Sequence, residues 1–563
     1  MIKITNYKRQ LNFLSLSVFI LSLPGFYSSA QPVKTGKASE PKIINIVNFI
    51  RLLEPRDPQI TQDVLYQTVV RQVELMKKHH LGGTFLLQYD ALIDLRYQRL
   101  LKTLPKDSFE IGAWWELPQP LIEKAGLKWR GRYPWDWHAD VGFATGYTPP
   151  EREKIIDVYM ADFKNIFGYY PRSVASWFID AHSLKYMYDK YKIVASANCK
   201  DQYGTDGYTL WGGYWNQAYY PSKINSYMPA QNAANQIPVP VFRMLGSDPI
   251  RQYDTGINSA RQGVITLEPV YPQAGGSSEW VKWFFDTFTL APSLGFNYTQ
   301  AGQENSFTWD AMKTGLELQM PLIEQLQKDG KVRVETMEKS GLWFRKTYPV
   351  TPATSFTVTK DIVGSNQKTI WYNSRFYRIN ILWENGTLRI RDIHFFNEKI
   401  ADKYTTEIAT SNECQFFTLP IVDGYLWSKR GDLAGLKLKA IINGDEVLLK
   451  GGNPTFSNTG QQTVDIDWPL LTGGSLKIKL REKSASIKLI SKKPLNWYFD
   501  LNVAGNVKTQ VQGTSKTAVH YQFTGHDYQL KLLKGEVLKP AGSTVFRLSP
   551  NLNTIDLNMA DNN

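Results

Sequence analysis

The densest cluster of reactive side chains is Lys128-Trp129-Arg130-Gly131-Arg132-Tyr133-Pro134-Trp135-Asp136-Trp137-His138-Ala139-Asp140. In an extended segment, Asp136, His138 and Asp140 project to one side, with Trp135 and Trp137 on the other. An aspartate beside a histidine raises the imidazole pKa and orients the ring. Asp136 and His138 are therefore a candidate general acid–base pair. The alternative is a structural loop whose tryptophans cover one end of a barrel. Arg51, Arg56, Arg130 and Arg132 flank the same region. Their guanidinium forks suit carboxylates, either of a ligand or of neighbouring acids.

A second pattern is a succession of acids, each following a short apolar run: Glu54, Asp90, Glu116, Asp180, Asp201, Asp248, Glu268 and Glu304. One such acid is commonly a helix cap. A ring of them points to one polar pocket. Glu54, Asp180 and Glu268 are the candidates to act opposite Asp136 and His138. Trp115 and Glu116 end the third run. Trp211, Tyr214, Trp215, Tyr219 and Tyr220 crowd a segment with Gly212-Gly213 and Asn216-Gln217 between them. This non-helical mixture of rings and amides reads as a ligand platform or a packed loop. Trp115, Glu116, Trp135, Trp137, Trp211 and Trp215 join the four arginines as candidate binding residues.

These side chains need a frame. The apolar runs are Ile43–Phe49, Thr84–Tyr89, Phe109–Trp115, Val174–Ile179, Ile193–Ala197, Val241–Leu245, Val264–Leu267 and Ser293–Tyr298. Amphipathic stretches at Thr61–His79, Pro150–Phe167, Ser183–Lys190, Glu279–Thr289 and Thr308–Gln327 lie among them. Strands alternating with helices imply parallel βαβ units. The expected fold is α/β: a TIM-like barrel of seven or eight (β/α) units over 42–338, with working residues past the C-terminal ends of its strands. From 339 to 553 short alternating runs, with an Asn385-Gly386 hairpin signal, imply an all-β sandwich-like domain. Residues 554–563 read as a tail.

Lys3, Lys8 and Arg9 precede the apolar run Leu11–Leu23, and Ser28-Ser29-Ala30 offers a cleavage site. This is a signal peptide over 1–30, followed by a polar linker over 31–41. Export is expected, to the periplasm or beyond, with no membrane span left after cleavage. The net charge is +13, yet there is no Lys/Arg run or recognition-helix pattern, which argues against nucleic acid. A basic exported chain with 13% aromatic residues fits a glycan partner, acidic glycans included. Cys199 and Cys414 lack disulfide-framework or zinc spacing and read as buried thiols.

Four features resemble the glycoside hydrolase/deacetylase superfamily: Leu81-Gly82-Gly83-Thr84-Phe85, Phe109-Glu110-Ile111-Gly112, the helix at Pro150–Ile166, and Phe167-Gly168-Tyr169-Tyr170-Pro171-Arg172-Ser173. The resemblance spans roughly 43–200 and implies a barrel acting on carbohydrate. The arrangement also resembles a family of secreted bacterial proteins with this barrel and a C-terminal β-domain. The deacetylases of the superfamily carry an Asp-Asp pair after the first strand and a His-x-x-x-His pair after the third. Here Arg51-Leu52-Leu53-Glu54 and Gly112-Ala113-Trp114-Trp115-Glu116 stand in those places. Asp136-x-His138 matches the Asp-x-His pair of an exosialidase family with a similar barrel. The expectation is a glycoside hydrolase needing neither metal nor cofactor. The alternatives are a glycan-binding protein on a barrel without catalysis, and a deacetylase-like enzyme with an altered metal site.

Overall fold

Lys42–Ile50 (β1) has the sequence KIINIVNFI and is buried almost end to end. Such a run fits a parallel strand covered on both faces. It is described in a computed structural model that covers residues 40–540 and 542–560. The expected signal peptide lies outside the described residues, as does most of the linker. The strands Gly83–Leu87 (β2), Phe109–Trp114 (β3), Ser173–Ala175 (β4), Ala195–Asn198 (β5), Ala218–Tyr219 (β6), Val241–Arg243 (β7) and Asn297–Ala301 (β8) follow. They lie in the order β8-β1-β2-β3-β4-β5-β7-β6. Neighbours are parallel except for β6 and β7. Phe242 of β7 packs on Tyr298 of β8 with ring centroids 4.8 Å apart, so the eight strands form a nearly closed barrel.

The crossover helices stand where the periodicity places them, and local chemistry sets their ends. Gln62–Lys78 starts at Thr61, whose hydroxyl accepts from the Val64 amide, and ends on Lys77 and Lys78, which complement the helix dipole. Pro149–Phe167 opens with a Thr148–Glu151 capping box and closes at Gly168 with φ +86°.

The alternation holds through β5 and then stops. Residues 199–277 form short strands and turns with no helix, so the regular repeat of a TIM-like barrel is not followed there. Val264–Leu267, expected as a strand, is irregular apart from a bridge between Thr266 and Ser247. The expected strand Ser293–Tyr298 is divided. Ser293–Leu294 pairs with Ser355 and Phe356, Gly295 turns with φ +77°, and β8 begins at Asn297.

The two large sheets of the C-terminal region are antiparallel. An eleven-stranded sheet includes Thr354–Val358, Lys368–Asn373, Tyr377–Glu384 and Thr387–Phe395. An eight-stranded sheet runs from Thr455–Gly460 to Val511–Thr514 and includes Thr554–Asn558, which had been expected in a tail. Ile370, Tyr372, Ile379 and Ile381 pack with Ile466, Trp468, Ile478 and Leu530 in a core shared by the two sheets. Successive side chains point to opposite faces of a strand. Phe356, Trp371 and Leu382 accordingly join the core on the barrel side. Trp215 stacks on Trp371 there, with centroids 4.8 Å apart and planes at 5°.

One glycine on this boundary is tightly constrained. Gly212 has φ +84°, and a Cβ there would lie 2.1 Å from the Thr418 hydroxyl and 2.2 Å from the His394 ring. Gly212→Ala is expected to cost about 1–3 kcal/mol by overpacking and backbone strain. A urea titration of the purified chain checks this, and an unshifted midpoint would contradict it.

Candidate active site

A cavity of about 460 Å³ opens at the C-terminal ends of the barrel strands. Arg51 enters it just past β1, Glu116 past β3, Trp177 past β4, Lys200 past β5, Leu245 past β7 and Glu304 past β8. This is the end of a parallel barrel at which chemistry is placed. Trp135, Trp137, Phe143, Tyr208 and Tyr271 complete much of the wall, and Glu268 reaches in from the irregular segment before Ser278.

Arg51 organises the floor. Its Nε and Nη2 donate to the two oxygens of Glu116 at 2.8 and 2.6 Å. Its Nη1 lies 2.8 Å from Glu304 Oε2 and donates to Ser306 at 3.2 Å. Its guanidinium lies 4.3 Å from the Trp135 ring centroid. One cation is thus shared by two carboxylates. Burial pushes Glu304 up to about 7; Arg51 pulls it down and the adjacent Glu116 pushes it up. Glu304 Oε1 accepts from the Ser306 hydroxyl at 2.7 Å. Glu268 is also raised by burial, against hydrogen bonds and the nearby Lys200 charge. Its oxygens accept from Thr266 at 2.6 Å and from Gln303 at 2.9 Å. Gln303 Oε1 in turn accepts from the Glu304 amide at 2.8 Å, so this side chain ties the two acids together.

The structure divides the residues expected from sequence. Arg51, Arg56, Glu116, Trp135, Trp137 and Glu268 line the cavity. Asp136 and His138 are not among the lining residues. Asp136 accepts from Arg132 at 2.9 and 2.7 Å. Burial opposes its ionisation, but the Arg132 hydrogen bonds outweigh this and hold its carboxyl below the usual range. His138 is half-buried and meets Trp137 edge to face. Glu54 is taken up by Arg56, with two bonds of 2.7 Å. Asp180 caps the helix Ala181–Tyr191 and pairs with the fully buried Arg152 at 2.9 Å. Arg130 donates to the carbonyls of Asp140 and Gly146 at 2.9 and 2.6 Å.

Trp115 is buried against Tyr159. Trp211 is buried and donates to Asp423 at 2.8 Å, and Trp215 is held by Trp371, so these two rings form a packed boundary, not an open platform. The sequence reading missed Lys200, Trp177 and Tyr271 in the wall, although Lys200 stands two residues past a strand end.

Arg132 lies 4.6 Å and Arg56 5.3 Å from the Trp137 ring centroid. Asp136 therefore acts through Arg132 on the loop that presents Trp137. Asp136→Asn is expected to raise KM several-fold while leaving kcat nearly unchanged. A fall in kcat by orders of magnitude would instead place Asp136 at the reacting atoms.

The superfamily resembled by the motifs includes metal-dependent deacetylases. In the places of the deacetylase motifs this chain carries Arg51-Leu52-Leu53-Glu54 and Gly112-Ala113-Trp114-Trp115-Glu116, and the Arg51 guanidinium lies between Glu116 and Glu304. No group of three His, Cys, Asp or Glu residues placed to share a metal ion occurs among the described residues. The side chains at this position do not fit a divalent cation.

Residues 135–376 match the profile of a domain of unknown function, DUF3863. No curated protein matches the sequence. Among solved structures, the chain is similar to a protein from Parabacteroides distasonis named as a candidate glycoside hydrolase/deacetylase. The identity is 15%, over 66% of this chain and 88% of that one, with a TM-score of 0.49. It is also similar to a candidate polysaccharide deacetylase from Mycobacterium smegmatis, at 11% identity over 55% and 93% of the two chains, with a TM-score of 0.35. A 4-alpha-glucanotransferase from Thermococcus litoralis matches at 11% identity over 92% and 100%, with a TM-score of 0.31. No helix among the described residues is long and apolar enough to cross a membrane.

Proposed function

We propose that this chain is an exported carbohydrate-acting enzyme, a glycoside hydrolase working in the cavity above β1, β3, β5 and β8. The observation that carries the reading is the meeting of Glu116, Glu268 and Glu304 with Trp135, Trp137, Trp177 and Tyr271 in one cavity of about 460 Å³. Aromatic faces suit the apolar faces of sugar rings. Glycoside cleavage needs an acid to protonate the departing oxygen and a carboxylate to act as base or nucleophile. Glu304, pushed up to about 7, holds a proton below that pH and serves as the acid. Glu268 serves as its partner. Arg51 and Glu116 position Glu304 and touch no reacting atom.

The test is turnover by the mature chain on a panel of glycans and nitrophenyl glycosides. The expected result is hydrolysis of at least one substrate that is lost in both Glu304→Gln and Glu268→Gln. Binding without turnover across the panel would leave a glycan-binding protein. Turnover that survives both substitutions would move the reacting pair elsewhere. Export is tested by N-terminal sequencing of the mature protein, expected to begin at Gln31.

A further inference from the structure

The cations expected to hold an acidic ligand are already engaged: Arg51 by Glu116 and Glu304, and Arg56 by Glu54. Lys200 is not. It lines the cavity at 5% exposure. Its Nζ donates at 3.1 Å to the Asp201 carbonyl and has no other hydrogen bond or ion pair among the described residues. An ammonium has three N–H donors, so two are unspent.

The nearby carboxylates make their direct hydrogen bonds with other groups. Asp201 accepts from Arg243 and Tyr227, each at 2.7 Å, and from Arg378. Both Glu268 oxygens already accept hydrogen bonds. An ammonium buried with no carboxylate in direct contact is costly, and a bound anion lowers that cost. Burial lowers the Lys200 pKa, and the charges of Glu268 and Asp201, neither carboxylate hydrogen-bonded to the ammonium, offset this only in part. Arg261, exposed on the same cavity, likewise has no ion pair among the described residues.

We infer that the cavity recognises a sugar bearing an anionic oxygen group, a carboxylate or a sulfate, with Lys200 as the buried counter-charge and Arg261 as a second cation. The inference rests on the reading of the cavity as a glycan site. An ammonium is a point charge that accepts either anion geometry, which is why the two are named together.

The test is a glycan array holding neutral, uronate, sialylated and sulfated glycans, probed with the mature chain and with Lys200→Met. The expected result is retention of anionic glycans by the wild type. The bound class, carboxylated or sulfated, identifies the source of the charge. Titration calorimetry of the best anionic glycan against its methyl-esterified or desulfated form should give about tenfold or greater preference. That preference should shrink to less than about twofold in Lys200→Met. Circular dichroism establishes that the variant is folded, and Arg261→Ala, at an exposed site, should lower the same preference by a smaller factor. Retention of neutral glycans only, or an equal preference in wild type and Lys200→Met, overturns this inference and leaves the glycan site standing. Retention of no glycan at all overturns both.

Discussion

Glu304→Gln is expected to lower kcat by about 10²–10⁴-fold while the chain stays folded, because the amide keeps the shape of the side chain but loses the transferable proton, together with one acceptor oxygen facing Arg51 or Ser306. The pH profile carries the same information. Glu304 loses its proton at about 7 in the folded chain against an ordinary value of 4.5. Activity through its acid form should therefore decline as pH rises through about 7. The stability effect has a definite sign. Between 4.5 and about 7 the folded chain holds a proton at this group that the unfolded chain has released. Its contribution favours folding at the lower pH and fades as pH rises through about 7. The glutamine variant should lose this part of the pH slope. Rate profiles and urea midpoints at several pH values check both. An unchanged kcat in Glu304→Gln would remove it from the chemistry.

Much of the frame was legible in the sequence. Continuous apolar runs mark β1, β2 and β3 because parallel strands are covered on both faces. Thr148-x-x-Glu151 and Gly168 mark both ends of a helix. What failed had a tertiary cause. Val264–Leu267 has the composition of a strand, yet it is irregular where the βα alternation ends. The reading of Asp136-x-His138 rested on alternation along an extended segment, but Arg132, four residues earlier, takes both Asp136 oxygens. Asp180 and Glu54 are likewise spent on partners that spacing does not reveal: Arg152 of a preceding helix and Arg56 two residues on. Glu304 belonged to the ring of acids, but its pairing with Arg51 joins residues 253 positions apart in the chain (304 − 51), and no local pattern records it. Lys200 stands outside the pattern because the residues that mark the strand ends in sequence are acids.

Arg378→Ala is expected to destabilise the fold by about 3–5 kcal/mol, the largest stability effect among these predictions, because it leaves buried carboxylates without their counter-charge. Arg378 is fully buried. It holds Asp392 through bonds of 2.9 and 3.0 Å, donates to the Gly213 carbonyl at 2.8 Å, and pairs with Asp201. Burial raises the Asp392 pKa against the pull of Arg378. Without the arginine, Asp392 and Asp201 should take up protons more readily in the folded state, so the deficit of the variant should shrink as pH is lowered. Arg378→Met with Asp392→Asn should cost less than Arg378→Ala, since the charge and its partner leave together. Urea titrations of the three proteins at two pH values decide this, and a deficit that grows on acidification would contradict it. The network also reaches the cavity. Asp201, gripped by Arg378 from the large sheet and by Arg243 from β7, supplies the carbonyl that holds Lys200. A side chain of the C-terminal sheet thereby fixes the position of the ammonium in the barrel cavity. Arg378→Ala, assayed where it remains folded, should weaken the preference for anionic glycans although it touches none of them.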